Sequence, residues 1–162
     1  MHREQAIELA ERLLQAWNTQ EVDRVVGCYT ADVHYRDPNT RGFVEGSAAL
    51  RHYLTKLFDR WQMHWTLREA YPLRHEDGAA VLWRASFRFI GRDTEVEIDG
   101  MDLALTHGDR LSRNDVYFDR TPLQRLAILA ACPHQTTYLR AFPDRCTNNL
   151  HERPKPTRRT CT

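Results

Sequence analysis

Trp83-Arg84-Ala85-Ser86-Phe87-Arg88-Phe89 alternates apolar and polar residues without interruption. Side chains on a strand point to opposite faces with period two, so this stretch predicts a strand with one buried and one solvated face. Val96, Ile98, Gly100, Asp102 and Ala104 repeat the alternation, with a carboxylic acid as one member. Asp102 is thereby assigned to an otherwise apolar face. A carboxyl in such a place must be paired, protonated or engaged in chemistry.

Working outward, four strands are predicted at about residues 64–74, 79–90, 94–106 and 110–119, the last two joined by a tight turn at His107-Gly108-Asp109. Ahead of them, Ile7, Leu9, Ala10, Leu13, Leu14 and Trp17 recur at helical spacing over residues 5–17. Asn18-Thr19-Gln20 interrupts, and a second short helix is expected over residues 21–29. Residues 33–37 read as a short strand stopped by Pro38-Asn39, followed by a loop with Gly42 and Gly46. Ser47 is expected to cap a third helix bearing Leu50, Tyr53, Leu54 and Leu57, and Thr121 a last one through about residue 131. This order predicts an α+β fold, a curved antiparallel sheet covered by helices on one face.

The chain of 162 residues suffices for one domain with a real core. A net charge of +1 gives no overall field to draw it to nucleic acid or an anionic membrane. No apolar run is long enough to span a bilayer. Met1 to Gln5 leads straight into the first helix without a signal-peptide pattern. Cys28, Cys132, Cys146 and Cys161 show no CxxC or metal-type spacing. The expectation is a reduced, cytoplasmic protein without metal or cofactor. The domain is assigned to residues 1–131. Residues 132–162 are basic, proline-containing and poor in aliphatics, and are expected to be a disordered tail.

Tyr35 and Asp37 share one face of the short strand. If that face looks into the curve of the sheet, Asp37 lies at the mouth of a cavity walled by Trp83, Ala85 and Phe87, with Asp102 projecting in from the neighbouring strand. Two carboxyls in unlike surroundings let one site hold an acid and a base together. A partly solvated Asp37 takes a proton. A desolvated Asp102 stays protonated and hydrogen-bonds a developing oxyanion. The plainer alternatives are Asp37 as a turn-former before Pro38 and Asp102 as the partner of Arg84 or Arg113. On the last strand Asn114, Val116 and Phe118 are placed inward and Asp115 outward, as a surface carboxylate. His34 and His64 fall on polar faces, and no HxH or HExxH spacing supports a metal site.

Several stretches together resemble the SnoaL-like proteins of the NTF2-like superfamily, which includes ketosteroid isomerases, polyketide cyclases and limonene-epoxide hydrolases. They are Arg12 to Asn18, Val22-Asp23, Tyr29-Thr30-Ala31-Asp32-Val33 to Asp37-Pro38, Gly46 with Ala48-Ala49-Leu50-Arg51, and His107-Gly108-Asp109-Arg110-Leu111 to Tyr117-Phe118-Asp119. The resemblance runs from about residue 5 to 128. It implies a cone-shaped fold, a curved sheet wrapped by three N-terminal helices around a pocket, and a homodimer formed through the outer sheet face.

Residue by residue, the resemblance sets Asp37 at the isomerases' general base and Asp102 at their protonated oxyanion-hole aspartate, a behaviour already described for ketosteroid isomerase. The isomerases' tyrosine on the first helix falls on Leu13. The final-strand aspartate of the cyclases and epoxide hydrolases falls on Val116, which speaks against both of those mechanisms. The implied activity is proton transfer or isomerisation on a steroid- or polyketide-like carbonyl compound. Its catalytic residues are Asp37 and Asp102. The small hydrophobic molecule would contact Trp17, Tyr35, Tyr53, Trp83, Ala85, Phe87, Asn114, Val116 and Phe118. The alternative is a non-catalytic ligand-binding or dimeric interaction module.

Overall fold

Alternation of apolar residues along one strand organises the whole molecule. In β4 (Gly78–Phe89), Val81, Trp83, Ala85 and Phe87 are buried and the residues between them are half-exposed. The computed structural model describes residues 1–131, with side chains through Ile128. The stretch 132–162, read as a tail, lies outside the described residues.

β4 pairs antiparallel with β3 (Trp61–Pro72) on one side and β5 (Glu95–His107) on the other. β5 pairs antiparallel with β6 (Arg110–Phe118), and β6 lies parallel to β1 (Tyr29–Arg36). A two-residue strand, β2 (Val44–Glu45), completes the six-stranded order β2-β1-β6-β5-β4-β3. The sheet was expected to be wholly antiparallel. The parallel β1–β6 pair arises because α3 (Ser47–Phe58) and four strands, the short β2 among them, intervene before the chain returns to β1. Register shifts at Leu67/Glu69 in β3 and Leu105/Thr106 in β5 bend the sheet, as bulges do.

α1 (Arg3–Thr19) lies against this sheet through Ala6, Leu9, Ala10, Leu13, Leu14 and Trp17, all buried. Its end is tied to an exposed strand edge. The Asn18 amide donates to the Trp65 carbonyl (2.9 Å) and accepts from the Trp65 N–H (2.7 Å); Gln20 does the same for Trp61 (2.7 Å) and Met63 (3.1 Å). Edge strands carry unpaired backbone groups that can template aggregation, and two side-chain amides satisfy these. α2 (Val22–Gly27) is shorter than expected: Tyr29 opens β1 instead of ending a helix. Ser47 is the first residue of α3, and Gly46, at φ 81°, occupies the cap position. α4 (Thr121–Ala131) likewise begins at Thr121, whose N–H donates to the Asp119 carboxylate (2.9 Å).

One placement differs outright. Asp115 does point to the outer face of the sheet, yet its side chain is only 1% exposed. Arg113 (2.7 Å) and Arg36 (2.9 Å) cover it, and both guanidiniums lie over the Phe43 ring. Burial by itself raises the Asp115 carboxyl, but the hydrogen bonds and charges of Arg113 and Arg36 outweigh it and hold its pKa below the usual value. A depressed carboxylate stabilises the fold above its unfolded pKa, about 3.9, and that contribution disappears as pH falls through the lower folded value. Asp115→Asn is therefore expected to cost about 1–3 kcal/mol at pH 7. This is less than the 3–5 of a fully buried pair, because the guanidiniums keep access to water. The loss should shrink toward zero at low pH. Urea unfolding at pH 7 and pH 3 checks this, and an equal loss at both pH values refutes it.

Candidate functional site

Asp37 follows the end of β1, where Pro38 forces the chain to turn. Its Oδ1 accepts the backbone N–H groups of Asn39 (2.6 Å) and Thr40 (3.1 Å), the geometry of a side chain nucleating a turn. Its Oδ2 accepts the hydroxyl of Tyr35 (3.0 Å) and that of Tyr53 from α3. The turn role and the polar cluster are therefore the same carboxylate. Burial, then the neighbouring Asp37 charge, pushes both tyrosine pKa values well above the ordinary one, so both remain hydrogen-bond donors.

Asp102 projects from β5 beneath the sheet's concave face and is 5% exposed. Its Oδ1 accepts from Trp83 Nε1 (2.8 Å) and its Oδ2 from Asn114 Nδ2 (3.1 Å). It pairs with neither Arg84, which holds Asp99 (2.8 Å), nor Arg113, which holds Asp115. Those partners stand on the opposite face of the sheet. Asn114 Nδ2 and Trp17 Nε1 also donate to the Tyr29 hydroxyl (3.2 Å each), so a buried polar chain runs from α1 through β1 and β6 to β5. The Asn114 Oδ1 at its centre is buried without a partner.

Burial raises the Asp102 pKa to about 6, against the downward pull of Trp83 and Asn114 and with a further push from Asp37. The rise is in the direction the sequence led us to expect, and it is held to about 6. Two N–H donors aimed at the carboxylate are the physical reason.

Between the two acids lies a cavity of about 40 Å³, lined by Trp17, Tyr35, Trp83, Phe87, Val116 and Phe118 among the expected residues, together with Asp37 and Asp102. Ring contacts of 5.2 to 6.2 Å link Trp17, Trp65, Phe87, Phe118 and Trp83 around it. Ala85 is buried on the same face but does not line the cavity. Asn114 stands behind Asp102. Tyr53 reaches the chamber only through Asp37, and itself lines an adjoining cavity of about 370 Å³ under α4. Leu13 is fully buried in the core, whereas Leu14 lines the chamber.

Sequence reasoning missed Leu14, Trp65 and Asn39 in this wall, and Tyr29 behind it. Trp65 was open to recognition, since Met63, Trp65 and Leu67 alternate on β3. Tyr29 was lost to the overlong second helix. Asn39 carried no signal beyond its place in a turn. Among the described residues no cluster of three His, Cys, Asp or Glu side chains is placed to hold a metal ion, and no helix is long and apolar enough to cross a membrane.

Solved structures share this architecture. A protein from Catenulispora acidiphila with a ketosteroid isomerase-like fold, in complex with trimethylamine, is 18% identical (TM-score 0.62, 69% of this chain and 85% of that one). The epoxide hydrolase/cyclase-like enzyme SalBIII of pyran-ring formation in salinomycin is 21% identical (TM-score 0.64, 73% and 93%). An M. tuberculosis epoxide hydrolase of the LEH-like type is 15% identical (TM-score 0.63, 81% and 98%). At these identities the likeness establishes the fold alone. A search of curated proteins finds no match. The SnoaL-like domain model matches residues 10–114, which span both acids and most of the cavity wall, and the chain therefore belongs to the SnoaL-like family.

Proposed function

We propose that this chain is a cofactor-independent enzyme that moves a proton on a small hydrophobic carbonyl compound, with Asp102 carrying the proton. The observation behind this is the use of lone pairs. An ionised carboxylate offers about four acceptor sites. Asp37 spends all four, on two backbone N–H groups and two hydroxyls. Asp102 spends two, faces the chamber, and titrates at about 6. A general base works best when its pKa lies near the operating pH.

This reading exchanges the roles assigned from the resemblance. Two hydroxyls converge on one oxygen of Asp37. That of Tyr35, which lines the chamber, can turn to the oxygen of a developing enolate and still leave Asp37 three donors. Asp102 removes a proton from the carbon next to the carbonyl and returns it to the far end of the conjugated enolate. No atom beyond that proton is exchanged. Several structural neighbours are themselves described as isomerase-like or epoxide hydrolase/cyclase-like, in keeping with proton transfer in this fold. The rival, a binding module without chemistry, draws on the small volume of the inner chamber.

Conversion of cyclohex-3-enone to its conjugated isomer, followed by ultraviolet absorbance, separates the two. The rate should rise with pH and level off above about 6 as Asp102 ionises. No rate above buffer favours the binding module, and a rate flat from pH 5 to 7 removes Asp102 as the carrier.

The proposal includes a homodimer through the outer sheet face, where Leu82, Met101 and Tyr117 stand side by side in register and Tyr117 is 46% exposed.

A further inference from the structure

The larger cavity indicates what kind of molecule enters. It adjoins the inner chamber, sharing Asn39 and Phe87 with it, and its volume is about 370 Å³. Its wall carries three cations, Lys56, Arg60 and Arg120, and no acidic side chain. None of the three forms an ion pair among the described residues, whereas Arg36, Arg84 and Arg113 on the outer sheet face each hold a carboxylate. Asp119, beside Arg120 in sequence, is turned away onto the Thr121 N–H. Arg120 Nη1 donates to the Pro38 carbonyl (2.8 Å), which holds its guanidinium next to the turn bearing Asp37 and Asn39.

The inner chamber has the reverse character. It contains Asp37 and Asp102 and no cationic side chain. An anion is therefore repelled from the chamber and attracted to the vestibule. The pair of cavities can accept an elongated molecule in one orientation only, with its charged end outward.

We propose that the natural ligand is an amphiphilic oxyanion, a carbonyl compound bearing a carboxylate or phosphate. Lys56, Arg60 and Arg120 hold the charged group, and the carbonyl end enters between the two acids. The identity of the reacting end rests on the proton-transfer reading; the anion site does not. Guanidinium groups suit such a ligand because their planar N–H fork matches two oxygens at once. At a partly exposed site the attraction is screened by salt.

Calorimetric titration of the full chain with 4-acetylbenzoate, its methyl ester and 4-acetylphenyl phosphate tests this. At low salt at least one oxyanion should bind about tenfold tighter than the ester. That preference should collapse at about 0.5 M salt. The tighter of the two oxyanions identifies the natural group as carboxylate or phosphate. Lys56→Gln and Arg60→Gln, both at exposed positions, should each lower the oxyanion-to-ester ratio, with melting curves confirming that the variants fold. Equal affinities, insensitivity to salt, or a ratio unmoved in both variants overturns the proposal.

Exchange of the acetyl protons for deuterium, read by NMR, distinguishes its failure from that of the reaction. Preferential binding without exchange leaves the anion site standing and removes the chemistry. Equal exchange of ester and oxyanions does the opposite.

Discussion

Asp102→Asn is expected to lower the isomerisation rate by about 10²–10⁴-fold, the usual contribution of a positioned proton-transfer group. It should also change the pH dependence of stability, with a sign fixed by the raised pKa. The Asp102 carboxyl titrates at about 6 in the folded chain and near 3.9 when unfolded. Between those values the folded state binds more protons than the unfolded one. Stability in this part of the titration is thus fully present below about pH 4 and falls as pH rises through 6. A rise from near 3.9 to about 6 corresponds to about 3 kcal/mol.

The asparagine variant cannot lose what it never gains. Its stability relative to the native chain should improve by about that amount between pH 4 and pH 7.5. The new amide keeps an acceptor for Trp83 Nε1, and the unpartnered Asn114 Oδ1 can swing round to receive its N–H group. Urea unfolding of both proteins across this range decides the matter. Parallel curves would mean that Asp102 has an ordinary pKa, and the base assignment would lose its support.

Gly100→Ala carries the second large effect. Gly100 lies opposite Trp83 in the β4–β5 register, and the indole rests directly on it. A Cβ there would sit 2.5 Å from Trp83 Cζ2 and 2.9 Å from Cζ3. Real Cβ contacts do not come so close, and a buried tryptophan ring packed against Phe118 and the sheet cannot bend away as a flexible chain end would.

Overpacking of this kind costs about 1–3 kcal/mol. Displacing the ring also breaks the Trp83–Asp102 hydrogen bond, one to a charged acceptor and worth about 1.5–3 kcal/mol. That bond holds the Asp102 pKa down, so its loss should move the rate profile to higher pH as well. Gly27→Ala is the control. Nothing lies within 4 Å of the added methyl, and in the short α2 helix the change should be neutral or stabilising by about 0.5–1 kcal/mol. A Gly100→Ala melting temperature equal to that of the control would show that the ring has room to move.

Local pattern alone carried much of this molecule. The period-two alternation in β4 and β5 fixed which face is buried, because a slip of one residue would exchange every side chain between core and water. Asp102 was singled out on that ground. Helical spacing placed Leu9, Leu13 and Trp17 on one stripe of α1, and the inward set Asn114, Val116 and Phe118 followed from simple alternation on β6.

What the local pattern lacked was the identity of partners distant in sequence. Tyr53 meets Asp37 from a helix, Asn114 meets Asp102 diagonally across two strands, and Arg36 reaches Asp115 from the adjacent parallel strand. Hydrogen bonds and charges determine what a carboxylate does, and they act through a few ångströms of space irrespective of chain separation. The sequence by itself therefore determined the architecture and the buried acid. The tertiary structure alone decided that Asp115 is covered, that Asp37 accepts four hydrogen bonds, and that Asp102 accepts two and lines the chamber.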